Sequence, residues 1–436
     1  MANRKLGDVC EFINGGAWKE SEYSDNGIHV VKVTNIVAGE IVKRQDDSYL
    51  PDSKHDKYQT HELREGDIVV ATVGSHPTQP GSVVGRTTRV NHTFAGSFLN
   101  QNAVCLRFPQ AGEICSEYFA YLTKTILFKH HIESRAKGSA NQVRMGIGEL
   151  KKYEHNFPAL SIQNRIAAIL RAYDDLIENN KRRITLLEKM AEEIYREWFV
   201  RFRFPGWKEA EFEKGLPVGW AHQKLAEAFD FTGGGTPSKD NDSYWRNGDV
   251  DWYTPSDITR SNSLFMASSE FQCNEEGLRR SSAKLFPAYS VMMTSRATIG
   301  AIGINTKPAC TNQGFITCVP NEQYPLTYLY HWLKTAKPHF EILSGGATFP
   351  ELIKSTFKRI EILSPDQSVV EKFDGLVSPM FKQLESLSRQ NRKLEQTKNQ
   401  LLPRLISGKL SVENLDIQFP PSMQNDKTES PVEAVA

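Results

Sequence analysis

The stretch Ser161-Ile-Gln-Asn-Arg-Ile166-Ala-Ala-Ile-Leu170-Arg-Ala-Tyr173-Asp-Asp-Leu-Ile177-Glu-Asn-Asn180-Lys-Arg-Arg-Ile184-Thr-Leu-Leu187-Glu-Lys-Met-Ala191-Glu-Glu-Ile194-Tyr-Arg-Glu-Trp198 decides the architecture. Its apolar positions step by four and three: Ile166, Leu170, Tyr173, Ile177, Asn180, Ile184, Leu187, Ala191, Ile194, Trp198. That alternation is the seam of a coiled coil. A second seam follows the same rule: Phe373, Val377, Met380, Leu384, Leu387, Asn391, Leu394, Lys398, Leu401, Leu405. Each predicted helix, about 161–200 and about 365–406, is roughly 60 Å long at about 1.5 Å per residue. A solitary seam needs cover. Either each helix packs on its own globular domain, or the two seams pair antiparallel. The length and continuity of the seams favour pairing, with Asn180 and Asn391 as polar positions that fix register. Ser161 is the expected N-cap of the first helix, and Ser364-Pro365-Asp366-Gln367 reads as a capping box for the second. Phe204-Pro205-Gly206 and Gly408 are the expected stops. Pro379 is expected to kink or interrupt the second helix.

Outside the helices the sequence is written twice. Leu6…Gly15-Gly16 matches Leu225…Gly234-Gly235, with Gly15 and Gly234 separated by 219 positions. Asn100-Gln101 matches Asn312-Gln313 at 212, and Gly138-Ser-Ala matches Gly345-Gly-Ala at 207. The drift is that of surface-loop insertions. Short β-branched runs at 28–36, 67–73, 82–90 and 102–108 recur as 249–258, 289–293, 299–304 and 314–319. Short helices are expected at about 115–134 and 325–343. The fold class is therefore α+β: two mixed α/β domains, 1–158 and 205–363, joined by helices at 159–204 and 364–410. Residues 411–436 carry no periodicity and are expected to be disordered.

Composition excludes several classes. The 436 residues suggest two or three domains, and 39% hydrophobic content supports real cores. No run of about 18 apolar residues suggests a membrane span. Met1-Ala-Asn-Arg-Lys-Leu6 has no apolar run behind it, so no signal peptide is expected. Six scattered cysteines without a CxxC pair argue against a zinc site or a disulfide framework, and fit a cytoplasmic protein with reduced thiols. Net charge is +1, from 53 basic and 52 acidic residues, so a nucleic-acid binder must concentrate its cations locally.

Catalytic signatures are missing. Gly233-Gly234-Gly235-Thr236 lacks the Gly-Lys-Ser/Thr of a P-loop and more simply frees a turn. GxSxG, HExxH and paired-histidine metal spacings are absent, as is the Asn/Asp-Pro-Pro-aromatic loop of amino-methyltransferases. Asp52-Ser-Lys54 has no well-placed second carboxylate for a nuclease site. No metal site is expected.

Candidate DNA contacts gather in two places. Residues 129–152 hold Lys129, Arg135, Lys137, Arg144, Lys151 and Lys152 against Glu133 and Glu149, around the polar loop Gly138-Ser139-Ala-Asn141-Gln142. Cations neutralise phosphates, and Ser, Asn and Gln reach base edges; a solvated helix face with a polar turn reads the same way. Thr294-Ser295-Arg296 is the second place, with Arg86 in the first half. Arg296 can bond guanine or pair with a surface carboxylate. Asn100, Gln101, Asn312 and Gln313 can read adenine or cap strand ends. Thr348, in the loop matching 138–142, completes the set.

The second half opens with Leu216-Pro217-Val-Gly219-Trp220, then Gly235-Thr236-Pro237-Ser238, Tyr244-Trp245, Gly248-Asp-Val-Asp-Trp252 and Asp257-Ile258. With the Pro158…Gln163 and Pro365…Gln367 helix entries and the ending Leu401-Leu402-Pro-Arg-Leu405-Ile-Ser-Gly408-Lys-Leu, this resembles the specificity subunits of type I restriction-modification systems. The likeness covers about residues 1–410. The first half lacks the Leu-Pro-Xaa-Gly-Trp element. The resemblance implies two target-recognition domains, each reading half of a split double-stranded DNA site, and helices that set the gap. It implies two methyltransferase (M) subunits docked on those helices and restriction (R) subunits beyond them. S-adenosylmethionine, ATP and Mg are then expected in the partners, with no cofactor, no catalysis and no membrane contact in this chain. A coiled-coil scaffold without sequence-specific DNA binding is the alternative.

Overall fold

A computed structural model of the chain describes residues 2–79, 81–109, 112–139, 142–345 and 350–424. It divides into two units, Met1–Leu176 with Leu394–Ala436, and Ile177–Lys393.

The first unit is built on an antiparallel sheet in the order Glu11–Asn14, Ala103–Arg107, Ile68–Ala71, Thr87–Arg89. Ile68-Val-Val-Ala71 is buried on both faces, which its unbroken apolar run requires. A second sheet places Ile28–Val31 between Ser48–Leu50, antiparallel, and Phe98–Leu99, parallel. Ala2–Lys5 pairs with Glu154–Phe157.

The second unit repeats this plan. Phe231–Gly233, Phe315–Cys318, Val291–Thr294 and Ile302–Asn305 follow the same order, with Phe265–Met266 added at the edge. Val250–Tyr253 lies between Phe271–Cys273, antiparallel, and Ala309–Thr311, parallel. Ala221–Lys224 pairs with Glu361–Ser364. The sequence repeat is thus a repeat of topology. A parallel pair cannot close through a tight turn and needs a long crossover, so its recurrence in both units is a demanding coincidence to explain otherwise.

The long helices are Leu160–Tyr195, continued by a π-helical turn Arg196–Val200, and Gln367–Ile406. In the first unit Ile166 and Leu170 share one core with Leu402, Leu405 and Ile406, and with Ile68, Val104 and Phe119 of the globular part. Asp174 there accepts from Tyr121 Oη at 2.7 Å and from Lys398 Nζ. In the second unit Ala191 and Tyr195 share a core with Phe373, Val377 and Leu384, and with Val291 and Ile316. Asn180 Nδ2 donates to Asn391 Oδ1 at 2.9 Å, and Asn391 Nδ2 donates to the Ile177 carbonyl. Within each unit the numbering rises on one helix as it falls on the other, so the pairing is antiparallel. Both readings of the seam hold together: the helices pair, and each pair is also cemented to its own globular core. Ile177 and Leu387 are buried, whereas Ile184, Leu187, Ile194, Leu394 and Leu401 are half-buried.

Several local expectations change. Ser161 lies inside the first helix, whose opening amides at Ile162 and Gln163 are taken by the Ala159 carbonyl. Asp366, not Ser364, caps the second helix, accepting from the Ser368 amide at 2.9 Å; the aspartate carboxylate answers the orphan amides there. The second helix runs through Pro379 without interruption. Gly408 adopts φ +73° just beyond Ile406, as a stop should. Residues 411–424 are not disordered. Val412 is buried in the first core, and Arg165 Nη1 donates to the carbonyls of Val412, Glu413 and Leu415. One guanidinium fastening three carbonyls substitutes for the missing periodicity. Residues 425–436 lie outside the described residues.

Candidate nucleic-acid interface

In each unit four segments converge on one corner of the main sheet. In the first unit the strand end at Thr72 takes the Asn102 carbonyl through both its amide, at 2.8 Å, and its Oγ1, at 2.9 Å. The Met145 amide in turn donates to the Thr72 carbonyl at 2.8 Å. The hairpin Lys137–Ser139 with Gln142–Arg144 therefore lies beside the Asn100–Asn102 turn, and joins the sheet through Val73–Gly74. The glycine pair closes the corner: the Gln101 amide donates to Gly16, and a Cβ on Gly15 would sit 1.9 Å from the Asn100 carbonyl oxygen. Only glycine permits that approach.

The second unit builds the same corner from other side chains. The Ser295 amide donates to Gly314 at 2.8 Å, and the Leu352 amide to Ser295 at 2.9 Å. A Cβ on Gly234 would again sit 1.9 Å from a carbonyl oxygen, that of Asn312. Glu351 forms backbone bridges with both Gly345 and Arg296, as Arg144 pairs with both Lys137 and Val73.

The candidate residues separate into frame and surface. Asn100 and Asn312 are turn builders: their Oδ1 atoms accept from the amides of Asn102, at 3.3 Å, and Gly314, at 2.9 Å. Gln101 and Gln313, one residue on, are exposed. Thr236 Oγ1 donates to Gln313 Oε1 at 2.8 Å. Arg86 clasps the carbonyls of Ser82, Gly81 and Ile36, so its guanidinium braces a loop. Thr294 and Ser295 are buried; Thr294 Oγ1 accepts from the Ala301 amide at 2.9 Å. They hold the strand end and cannot face a partner. Arg296 is half exposed and donates to Glu351 Oε1 at 2.7 Å, which is the surface-pair reading.

Lys137 and Arg144 are exposed and stand opposite one another across the hairpin. Arg135 lies 3.7 Å from Glu149. The hydrogen bond from Lys152, with Lys137 and Arg135 nearby, holds the Glu149 carboxyl below its ordinary range. Ser139 and Gln142 end the two hairpin strands. Asn141 and Thr348 lie outside the described residues. His131 is buried against the Glu149 carbonyl at 2.9 Å and is not available to phosphate. Among the described residues no group of three His, Cys, Asp or Glu side chains is arranged to hold a metal, and no helix is long and apolar enough to cross a membrane.

Sequence reasoning missed Thr236, and it missed Lys354 and Lys358 beside the second corner. For Lys358 a signal was present. The pair Lys151-Lys152, counted in the first half, recurs as Lys358-Arg359 at the same separation of 207 that relates Gly138 to Gly345.

The type I restriction modification DNA specificity domain matches this chain twice, over residues 1–189 and 217–404. The chain belongs to that family. The type I restriction enzyme MjaIX specificity subunit of Methanocaldococcus jannaschii is 33% identical over 201 residues, which is 45% of this chain and 46% of that protein. The match therefore spans about half the length of that relative. The HindI specificity subunit of Haemophilus influenzae is 24% identical over 418 residues, covering 80% of this chain and 87% of the relative. Among solved structures, the type I restriction-modification S subunit from M. genitalium shares the fold, with TM-score 0.60, 16% identity, and coverage of 93% of this chain and 95% of that one. The two family matches each span one corner and end within a long helix, so the family's repeating unit is the unit whose topology recurs here.

Proposed function

We propose that this chain is the sequence-reading subunit of a type I restriction-modification complex. Each corner reads one half of a split double-stranded target, the first recognition domain spanning 1–158 and the second 205–363. The helical segments 159–204 and 364–410 set the gap between the halves and dock two methyltransferase subunits, with restriction subunits joining the assembly. In the second unit Leu186 and Met190, exposed and one helical turn apart, offer an apolar face for such docking. Adenine methylation and ATP-dependent cleavage, with S-adenosylmethionine, ATP and Mg, belong to the partners, and this chain breaks no bond. The methylating partner must lift the adenine out of the stack.

The observation that carries the reading is the corner built twice, from one hydrogen-bonded frame with different surface side chains, in a chain matched twice by the family. Within each corner the exposed Gln101 or Gln313 faces bases while its asparagine neighbour fixes the turn. A glutamine amide offers both a donor and an acceptor to a base edge. Co-expression with the methyltransferase subunit, followed by single-molecule sequencing of the modified DNA, tests it. A two-part motif with a fixed gap is expected. Methylation at one continuous short motif, or none from a stable complex, overturns it.

A further inference from the structure

The Gly233–Gly235 segment of the second corner, a strand end and the residues after it, is flanked by cations that no acid answers. A Cβ on Gly233 would lie 2.0 Å from Lys354 Cε and 2.2 Å from its Nζ, so the ammonium rests on the glycine backbone. Two residues on, a Cβ on Gly235 would meet Ser282 at 2.3 Å and the Ala283 nitrogen at 2.4 Å, and Lys284 follows directly in the chain. Lys358 closes the short helix Lys354–Phe357, its amide donating to the Lys354 carbonyl at 2.9 Å. All three lysines are exposed, and among the described residues none has an ion pair or a side-chain hydrogen bond.

Arg260, Arg280, Arg296, Lys334 and Lys337 of this unit each find a carboxylate, while Lys239, Arg279 and Lys307 are exposed and outside every ion pair, as these three are. What sets the three apart is that they gather: the Lys354 ammonium is pushed below its ordinary pKa, by partial burial first and then by Lys284 and Lys358. Like charges within reach of one another are unfavourable until an anion joins them. The glycine segment beside them also touches the Asn312 carbonyl and leads into Thr236, which holds Gln313. The first corner lacks the central cation: Lys151 matches Lys358, but Ile147 stands where the 207 separation puts Lys354.

We propose that Lys284, Lys354 and Lys358, gathered around the Gly233–Gly235 segment, form a phosphate seat that grips the DNA backbone beside Gln313. The inference rests on the reading of this corner as DNA-facing. It assigns the seat affinity and not sequence, because phosphate contacts position a protein while base contacts specify.

The test is the salt dependence of duplex binding by the full chain with its methyltransferase subunit. A duplex of arbitrary sequence is used, so the result does not depend on the target. Each lost phosphate contact lowers the slope of log K against log salt by about 0.9. Lys354→Gln is expected to lower it by about 0.9, and the triple Gln variant by about 2.7. Lys354→Arg, which keeps the charge, is expected to retain the wild-type slope, and the methylated motif is expected to be unchanged in every variant. An unaltered slope in the triple variant overturns the seat, as does an equal loss in Lys354→Arg. Stabilisation of wild type but not of the triple variant by inorganic phosphate, without a slope change on DNA, reassigns the site to a free anion. A split motif without a slope change refutes the seat alone. A slope change without any sequence preference refutes the recognition reading alone.

Discussion

In the first unit Lys137 stands opposite Arg144 on the corner hairpin; in the second, the corresponding strand positions carry Gly345 and Glu351, and Glu351 neutralises Arg296 at 2.7 Å. The frames beneath are alike. Amide-to-carbonyl bonds at Thr72 and Ser295, and the close approach of Gly15 and Gly234 to a carbonyl, hold both corners. None of those contacts uses a hairpin side chain. The surface is therefore free to change sign while the frame stays, which is what a reader of variable targets needs. Cations sit on the hairpin in the first corner, and around the Gly233–Gly235 segment in the second.

The cores offer the largest test of likeness beneath that difference. His155 packs among Tyr118, Tyr153 and Phe157, and His331 among Tyr195, Tyr330, Phe373 and Phe381. Burial lowers each from 6.5 to about 4. A histidine depressed in the fold takes up its proton only on unfolding, so stability is intact above about pH 6.5 and falls as pH drops toward 4. At pH 5 the loss from these two histidines is about 2 kcal/mol each relative to pH 7. Urea unfolding at the two pH values measures it, and His155→Phe or His331→Phe should each reduce the loss by about 2 kcal/mol. If one variant does nothing, burial in that core does not depress its histidine.

The frame comes next. Gly15→Ala and Gly234→Ala each drive a methyl group into a backbone carbonyl, which cannot swing aside as a side chain can. We expect a cost of about 3 kcal/mol in unfolding free energy for each. On methylation mapping, each variant should blur a different half of the split motif. Loss of both halves from one variant breaks the idea of two independent readers.

The fold was largely legible because the signals were periodic or repeated. The 4–3 seam announced both helices, and the offset matches announced a duplicated domain. What failed was local. Ser364 looked like a cap because Pro365 followed it, but Asp366 sits where the first free amides point. The 411–424 segment has no pattern because Arg165, far away in sequence, supplies its order. The corner was half legible. Residue type picked out Asn100, Gln101, Asn312 and Gln313, but could not separate the turn builder from its exposed neighbour. Thr294 and Arg86 have the chemistry of a contact and the burial or bonding of a brace. That distinction lives in backbone hydrogen bonds, which no residue type encodes.

Gln101→Ala and Gln313→Ala sharpen the division within each Asn-Gln pair. Each should relax one base position in its own half of the motif by about 1–2 kcal/mol, roughly 5- to 30-fold in discrimination, with unfolding unchanged. Asn312→Ala should instead lower stability, because it frees the Gly314 amide from its acceptor. If Gln313→Ala leaves the motif intact while Asn312→Ala alters one base alone, the roles are reversed.

The smallest effect is the most direct exchange between the corners. Glu351→Arg gives the second hairpin the residue type that the first carries at Arg144, and it strips Arg296 of its partner. Exposed like charges on neighbouring strands cost little, about 0.2–1 kcal/mol, so the chain should still fold. The freed Arg296 and the new arginine should together steepen the salt dependence of duplex binding by up to about 1.8. Arg144→Glu is the converse: Lys137 gains a cross-strand partner and the slope should flatten by a similar amount. If both variants leave the slope where it was, neither hairpin lies at the phosphates, and the charge difference between the corners is decoration on an otherwise common frame. If only the first-unit variant moves it, backbone contact in the second unit must come from the Gly233–Gly235 segment, and the two corners grip the same duplex through different parts of one architecture.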